Sequence, residues 1–359
     1  MAAPKEKKRH WLSRLSFGGI SLAASALLVL SYVSVVINPT HGWFFTLFGL
    51  LYPVVLPITL ILWVWALFRK STMRIPLTLV LLPSIFFAGR YFRPFPPSQE
   101  REATLKVVSY NVGLFAHGPE GIGRYELADS VSRYLCGLDA DVICLQEFFL
   151  PSGHPMDAWI MRHFPGYKAE FYVRTGRRGK FGNLTLSRRR ITDRGKLVFE
   201  HSTNMALWTD VILADDTLRL YNCHFESYNI SLSNLVKKKG AVEETERKMR
   251  RSIGERPKQV SAVLENIEKA PGQALVAGDF NDTPLSYTYF RLLRGRKDAF
   301  VRAGRGFGST YSSLWPLLRI DYQLYPKALE AVSYSIDRVP YSDHYPVIVS
   351  YYESGRDSE

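Results

Sequence analysis

Cysteine is scarce. Cys136, Cys144 and Cys223 are the only three in 359 residues, which gives no paired framework and excludes a small disulfide-stapled scaffold. Cys144 and Cys223 fall inside apolar strands and read as small core residues. Strong charge of one sign is missing from most of the chain. The total is +13, but residues 1–100 hold ten Lys/Arg against two Asp/Glu, leaving 36 against 31 elsewhere, a modest +5. That balance suits any phosphate-bearing partner without demanding nucleic acid. Lys and Arg are absent from 38–42, a gap that bears on orientation below.

The first hundred residues are apolar. Residues 17–37 form an uncharged run long enough to cross a hydrocarbon core as a helix. Residues 43–68 form a second, with Pro53 and Pro57 tolerable as kinks. Residues 75–91 form a third, short and interrupted by Pro76 and Pro83, so a tilted or re-entrant segment stays open. A cleaved signal peptide is excluded, because the first run is too long and two more follow. Lys5, Lys7, Lys8, Arg9 and Arg14 precede the first run, and Arg69, Lys70 and Arg74 follow the second. Basic loops stay inside, so the expected protein is a multi-pass membrane protein with a cytoplasmic N-terminus. The three crossings expected here put the rest of the chain outside the cytoplasm, so the domain beyond residue 104 is expected to be extracytoplasmic; two would leave it in the cytoplasm. Arg90 and Arg93 weaken the bias slightly. Residues 93–103, with Pro94, Pro96 and Pro97, read as a stiff linker close to the bilayer.

Beyond residue 104 the informative pattern is polar groups at strand ends. Ala274 to Ala277 is a small apolar run ending in Gly278-Asp279-Phe280-Asn281. Period-2 geometry sets Asp279 and Asn281 on one face, a hard-oxygen pair suited to Mg²⁺ and a water nucleophile. Leu105 to Asn111 ends in an amide, Asp141 to Glu147 in a carboxylate, and Leu218 to His224 in an imidazole. Asp321 lies in a short apolar strand, and Asp343-His344 occupies a turn before the last strand, Val347 to Tyr351. Singly, each has a structural explanation: an Asx turn at Asp279, a turn residue at Asn111, a helix cap at Glu147, a core histidine at His224. Six such placements together make chance a poor account. Helices are expected over 125–137 and 257–269; Val260, Val263, Leu264 and Ile267 give the latter one apolar face.

The ordered set Ser109-x-Asn111, Gln146-Glu147, Asn222-x-His224, Gly278-Asp279-x-Asn281, Ile320-Asp321-Tyr322 and Ser342-Asp343-His344, with Gly182-Asn183-Leu184-Thr185-Leu186-Ser187-Arg188, resembles the endonuclease/exonuclease/phosphatase superfamily. The superfamily includes deoxyribonucleases, abasic-site endonucleases, neutral sphingomyelinases and inositol polyphosphate 5-phosphatases. The resemblance implies an α/β fold, a four-layer sandwich of two packed, mostly antiparallel sheets with outer helices, over 104–353, with 354–359 as a tail. It also implies hydrolysis of a phosphate ester by water with Mg²⁺, or Mn²⁺ in its place. Metal ligation falls to Glu147, supported by Asn111 and Asp343. Asp279 is the water-activating carboxylate, and Asn281 orients it. His344 donates to the phosphate, Asp321 orients His344, and His224 acts from the other side. Such a site needs no nucleophilic Ser or Cys.

Gln146-Glu147 is followed by Phe148-Phe149 where abasic-site enzymes carry Thr-Lys, and His224 stands where they carry Tyr, so DNA repair is disfavoured. Two basic clusters, Arg174/Arg177/Arg178/Lys180 and Lys237 to Arg251, read either as solvated faces or as contacts to anionic headgroups or a polyanion. The expected protein is a membrane-anchored phosphoesterase whose partners are the bilayer and a nucleic-acid or phospholipid-headgroup substrate, with no obligate protein partner. A surface nuclease, a phospholipase-C-like headgroup hydrolase and a catalytically silent phospholigand-binding protein stay open as alternatives.

Overall fold

The structure, a computed structural model, describes residues 4–95, 101–200, 202–214, 216–228 and 241–353. Two long helices open the chain, α1 (Pro4–Val33) and α2 (Phe45–Phe68). Both are long and apolar enough to cross a membrane, over Ser16–Val33 and Phe45–Phe68. Pro53 and Pro57 sit inside α2 without ending it. Where the sequence predicts a third helix over 75–91, the chain is broken. It forms α3 (Arg74–Leu81), then α4 (Ser84–Phe87) restarting after Pro83, then one 3₁₀ turn. Proline lacks the N–H that would continue α3, but it is compatible with the start of a new helix.

This broken segment still runs antiparallel to α2. Trp63 Nε1 donates to Thr78 Oγ1 at 2.8 Å near one end, and the Tyr52 and Tyr91 rings lie 5.3 Å apart near the other. The Tyr32 hydroxyl of α1 donates to the Val80 carbonyl at 2.9 Å, and its ring stacks on Phe87.

The remaining chain forms two six-stranded sheets. Their strands are β2 (Leu105–Asn111), β3 (Val142–Pro151), β4 (Lys168–Gly176), β5 (Gly179–Ser187), β13 (Leu329–Ile336) and β14 (Val347–Glu353) in one. The other holds β6 (Ile191–Val198), β7 (Met205–Ile212), β8 (Thr217–His224), β9 (Gln273–Asp279), β10 (Lys297–Asp298) and β12 (Asp321–Tyr325). Spatial orders are β13-β14-β2-β3-β5-β4 and β10-β12-β9-β8-β7-β6. Each sheet holds one parallel pair, β2–β3 and β8–β9, and its other pairs are antiparallel. The parallel pairs are bridged by α5 (Arg124–Gly137) and α7 (Ala241–Glu268), the crossovers that parallel strands require. A short helix, α6 (Met156–His163), joins β3 to β4. The strands β1 (Phe92–Arg93) and β11 (Gly306–Phe307) pair separately. The expected linker therefore begins as a strand tied to the domain; residues 96–100 and the tail 354–359 lie outside the described residues.

Three apolar clusters define four layers. Val107, Val142, Cys144, Leu220, Leu275 and Val349 fill the space between the sheets. Leu127, Val131 and Leu135 of α5 cover one outer face, and Val260 and Val263 of α7 cover the other. All three cysteines are free, and Cys144 and Cys223 are fully buried.

A fourth cluster joins the domain to the helices. Leu285, from the loop before α8 (Tyr287–Leu293), packs with Leu28, Tyr52 and Val55. Ser34 Oγ donates to the Leu285 carbonyl at 3.0 Å. Gly49 of α2 permits this seat, because an added Cβ would fall 2.2 Å from that carbonyl oxygen. The α1–α2 turn therefore lies at the domain, and Arg69 and Lys70 lie 20 residues further along α2, about 30 Å away at 1.5 Å per residue.

Candidate active site

The signature residues gather at one end of the sandwich, where β2, β8 and β9 finish, β12 begins, and the turn before β14 arrives. β12 pairs with β9 in a register that sets Asp321 opposite Asp279, and the β8–β9 register sets His224 beside Asp279. Gly278 has φ +131°, and a Cβ there would fall 1.9 Å from the Cys223 carbonyl oxygen, so only glycine lets β9 approach β8 this closely.

β3 carries one residue more than β5 between the pairs Leu145–Leu184 and Phe148–Gly182. This bulge holds Glu147 at φ +50°, a left-handed conformation costly for a non-glycine residue. Glu147 therefore does not end its strand, as the sequence predicts, but interrupts it: β3 runs on to Pro151, paired with β5, and the bulge gives the carboxylate its own direction. β9 ends at Asp279, so Asn281 does not share its face by strand alternation as the sequence predicts; it lies beyond the strand in the left-handed region, at φ +51°, which asparagine tolerates better.

Asp279 is the hub. Its Oδ2 accepts from Asn111 Nδ2 at 2.9 Å and from Asn281 Nδ2 at 3.2 Å, and its Oδ1 accepts the Asn281 backbone N–H at 2.8 Å. His344 Nε2 stands 3.8 Å and His224 Nε2 3.9 Å from Asp279 Oδ2. His344 Nδ1 is 3.0 Å from Asp321 Oδ2, and the Asp321 N–H donates to Thr310 Oγ1. Burial, then Asp321, pushes the Asp279 carboxyl above its usual range, against the pull of His344. Burial opposes charge on His344, but Asp321 and Asp279 outweigh it and raise its pKa to about 10. The imidazolium is thus the resting form at neutral pH, with both ring nitrogens as donors.

Glu147 lies apart from this buried group, one-third exposed, 3.5 Å from His224 Nε2. Asn111 Nδ2 donates to it at 3.2 Å, while Asn111 Oδ1 accepts the Gly113 N–H. Asn111 therefore bridges Glu147 and Asp279 as a donor, and its oxygen is engaged in a turn. Ser342 Oγ donates to the Asn111 carbonyl at 2.8 Å, which ties the Asp343–His344 turn to β2. The Asp343 carboxylate is 3.7 Å from His117 Nε2.

Asp279, Asp321 and His344 lie close enough together to hold a metal ion. Their chemistry fits a buried acid–base relay better: one nitrogen of His344 is already engaged by Asp321, and Mg²⁺ prefers oxygen ligands and keeps several waters. Glu147, with room for water, is the better oxygen donor for Mg²⁺.

All eight residues that the sequence singles out lie at this end of the sandwich. The groups that support them have no role assigned from the sequence. Gln146 Nε2 donates to Asn222 Oδ1, and Asn222 Nδ2 to the Leu145 and Leu184 carbonyls, which stitches the two sheets together beneath Glu147. Behind Asn281, buried Arg256 pairs with Asp282 at 2.9 Å and donates to Tyr228. Tyr311 packs edge-on against His344. Within the motifs, Gln146 and Asn222 were visible; nothing in the sequence marks Arg256 or Tyr311.

Two cavities meet at Glu147. One, of about 250 Å³, is lined by Asn183, Asn204, His224 and Glu226. The other, of about 420 Å³, runs from Asp279, Asp343 and His344 to Leu50, Leu51 and Val54 of α2.

A model of the endonuclease/exonuclease/phosphatase family matches residues 108–344. The chain belongs to this family. A second model, described only as a domain of unknown function, matches residues 13–91. No curated protein matches the chain. Among solved structures, a family protein from Beutenbergia cavernae aligns with TM-score 0.51 and 16% identity, covering 70% of this chain and 72% of the other. The human Nocturnin catalytic domain aligns with TM-score 0.50 and 15% identity, over 72% of this chain and all of that one. A mannosyl-6-phosphatase from Bacteroides thetaiotaomicron gives 0.50 and 16%, over 69% of this chain and all of that one. At these identities the likeness shows the fold.

Proposed function

We propose that the chain is a membrane-anchored, Mg²⁺-dependent phosphoesterase. The observation that carries the reading is the buried Asp279 carboxylate, held by two asparagines between two histidines at the edge of a cavity that also exposes Glu147. Glu147, with Asp343 nearby and Asn111 as its support, would hold the Mg²⁺, which would neutralise charge building on the phosphate. Asp279, its basicity raised by burial, takes the proton of a water as the water oxygen bonds to phosphorus. Asn281 fixes the direction of that carboxylate. The His344 imidazolium, locked by Asp321, donates to a phosphate oxygen. His224 faces the opposite side and supplies the proton to the departing ester oxygen as its bond to phosphorus breaks. The intact set of acid, base and ligand groups favours catalysis over a silent binding module.

The direct test is a Mg²⁺ titration of bis-p-nitrophenyl phosphate hydrolysis by the detergent-solubilised full chain. Glu147→Gln is expected to raise the half-saturating Mg²⁺ concentration by about tenfold or more. An unchanged titration would remove Glu147 from the ligand set.

Anchoring rests on the apolar outer faces of α1 and α2, where Ile20, Ile61 and Phe68 are among the large side chains left exposed. The antiparallel course of α1, α2 and the broken third segment, with Arg69, Lys70 and Arg74 at the end away from the domain, favours an extracytoplasmic catalytic domain. A periplasm-active phosphatase reporter fused after Glu359 should be active, and a cytoplasm-active reporter there should be silent. Because the domain sits at the α1–α2 turn, the reverse pattern would mean that the whole bundle is inverted, with that turn in the cytoplasm.

A further inference from the structure

Resting on the hydrolase reading, we propose that the substrate is a membrane lipid carrying a phosphate ester, taken sideways from the bilayer with its apolar tail against α2. Three observations converge on this.

The larger cavity joins two unlike surfaces. Its inner end is the reaction centre, Asp279, Asp343 and His344. Its outer end has two apolar walls, Leu51 and Val54 on α2 facing Leu314 and Leu317 on the segment before β12. Leu51, Val54 and Leu314 are part-exposed, as is Trp315 beside them. A water-soluble phosphate ester has no use for such a wall, whereas an alkyl chain gains about 0.8 kcal/mol per methylene buried there.

The apolar wall is continuous with the bare face of a helix long enough to cross a bilayer. Ile58 and Ile61 follow Val54 along α2, both exposed. A tail in the cleft can therefore pass into the hydrocarbon layer without crossing water.

The smaller cavity provides the opposite end. Asn183, Asn204 and Glu226 line it, and it meets the larger one at Glu147. An ester phosphate at the junction would have its apolar side along α2 and its polar side among amide and carboxylate groups, which suit hydroxyl or amine functions. Outside the cleft, Arg247, Arg250, Arg251 and Lys258 of α7 share a further cavity of about 400 Å³ with Thr40 of the α1–α2 turn. Basic residues at that level face the plane of anionic headgroups.

The test uses the full chain in nanodiscs and a series of alkyl p-nitrophenyl phosphodiesters, ethyl to octyl, each below its micellar concentration. Partitioning into the disc is common to every variant, so the octyl-to-ethyl ratio of kcat/KM isolates the cleft. Leu51→Ser and Leu314→Ser are each expected to lower that ratio about tenfold, since one buried methylene is worth about fourfold. Leu314 lies on a part-exposed segment, so its variant reads the cleft even where Leu51→Ser disturbs the helix. Asp279-dependent hydrolysis with a ratio unchanged in both variants overturns the lipid assignment and leaves the hydrolase standing. So does plasmid DNA or RNA cleaved with a higher kcat/KM than the octyl ester. Absence of any Asp279-dependent hydrolysis overturns both readings.

Discussion

Asp279→Asn should lower kcat by about 10²- to 10⁴-fold, the usual contribution of a positioned general base, while leaving the folded state intact. The change is nearly isosteric. The amide oxygen can still accept the Asn281 N–H, and the one acceptor that faces both Asn111 Nδ2 and Asn281 Nδ2 is lost. The stability cost is expected to be small: burial and the nearby Asp321 already disfavour the charged carboxylate, which offsets the lost pull of His344 and the lost bonds from Asn111 and Asn281. A thermal melt of the variant within a few degrees of the wild type, together with the loss in kcat, is the expected pair of results. A fully active variant would end the water-activation role.

The second large effect concerns stability. Arg319, fully buried, pairs with Asp298 through both guanidinium ends, Nη1 to Oδ1 at 2.9 Å. Its guanidinium also lies over Tyr322 at 4.7 Å and Phe300 at 4.8 Å. Asp298 in turn caps α9 (Ala299–Ala303) by accepting the Phe300 N–H. Arg319→Met leaves that carboxylate buried without its cation and should cost about 3–5 kcal/mol, read by denaturant unfolding of the solubilised protein. Adding Asp298→Asn, which keeps the cap and removes the charge, should restore part of the loss. Failure of the second change to restore anything would mean that the aromatic stacking, not the ion pair, carries the cost.

The same pair sets an acid limit. Burial alone would raise the Asp298 carboxyl, but Arg319 and its hydrogen bonds hold it below its ordinary range. A carboxyl depressed in the folded state adds stability that is complete above its unfolded value of about 3.9. That stability drains away as pH falls through the folded value. Wild type should therefore lose stability below about pH 4, and Asp298→Asn should flatten that limb.

The ends of β2, β8 and β9 could be read from the sequence because a buried strand that closes on Asn, His or Asp announces both its length and its polar tip; β3 instead runs past Glu147 to Pro151. The Asp321–His344 partnership came with the family resemblance that those residues carry. Other features had no such mark. α7 begins at Ala241, sixteen residues before the expected start at Pro257, because its first half is charged rather than amphipathic and is supported by pairs such as Glu244–Lys248 at 2.7 Å. Lys237 to Lys239, expected in the same basic segment, lie outside the described residues. The bulge at Glu147 depends on one residue of mismatch with β5, a property of pairing rather than of either strand. The wall that α2 gives the larger cavity joins Val54 to His344 across nearly three hundred residues, and no local pattern reports a contact of that span.

The seat of Leu285 on Gly49 fixes a distance. The contact lies four residues into α2, about 6 Å along the helix axis, and it leaves no side chain to compress or rotate. The catalytic end of the sandwich is thereby held at one height along the helix axis. If α2 spans the bilayer, that height acts as a ruler: phosphates at the matching depth are within reach, and those on taller headgroups stand above the catalytic groups.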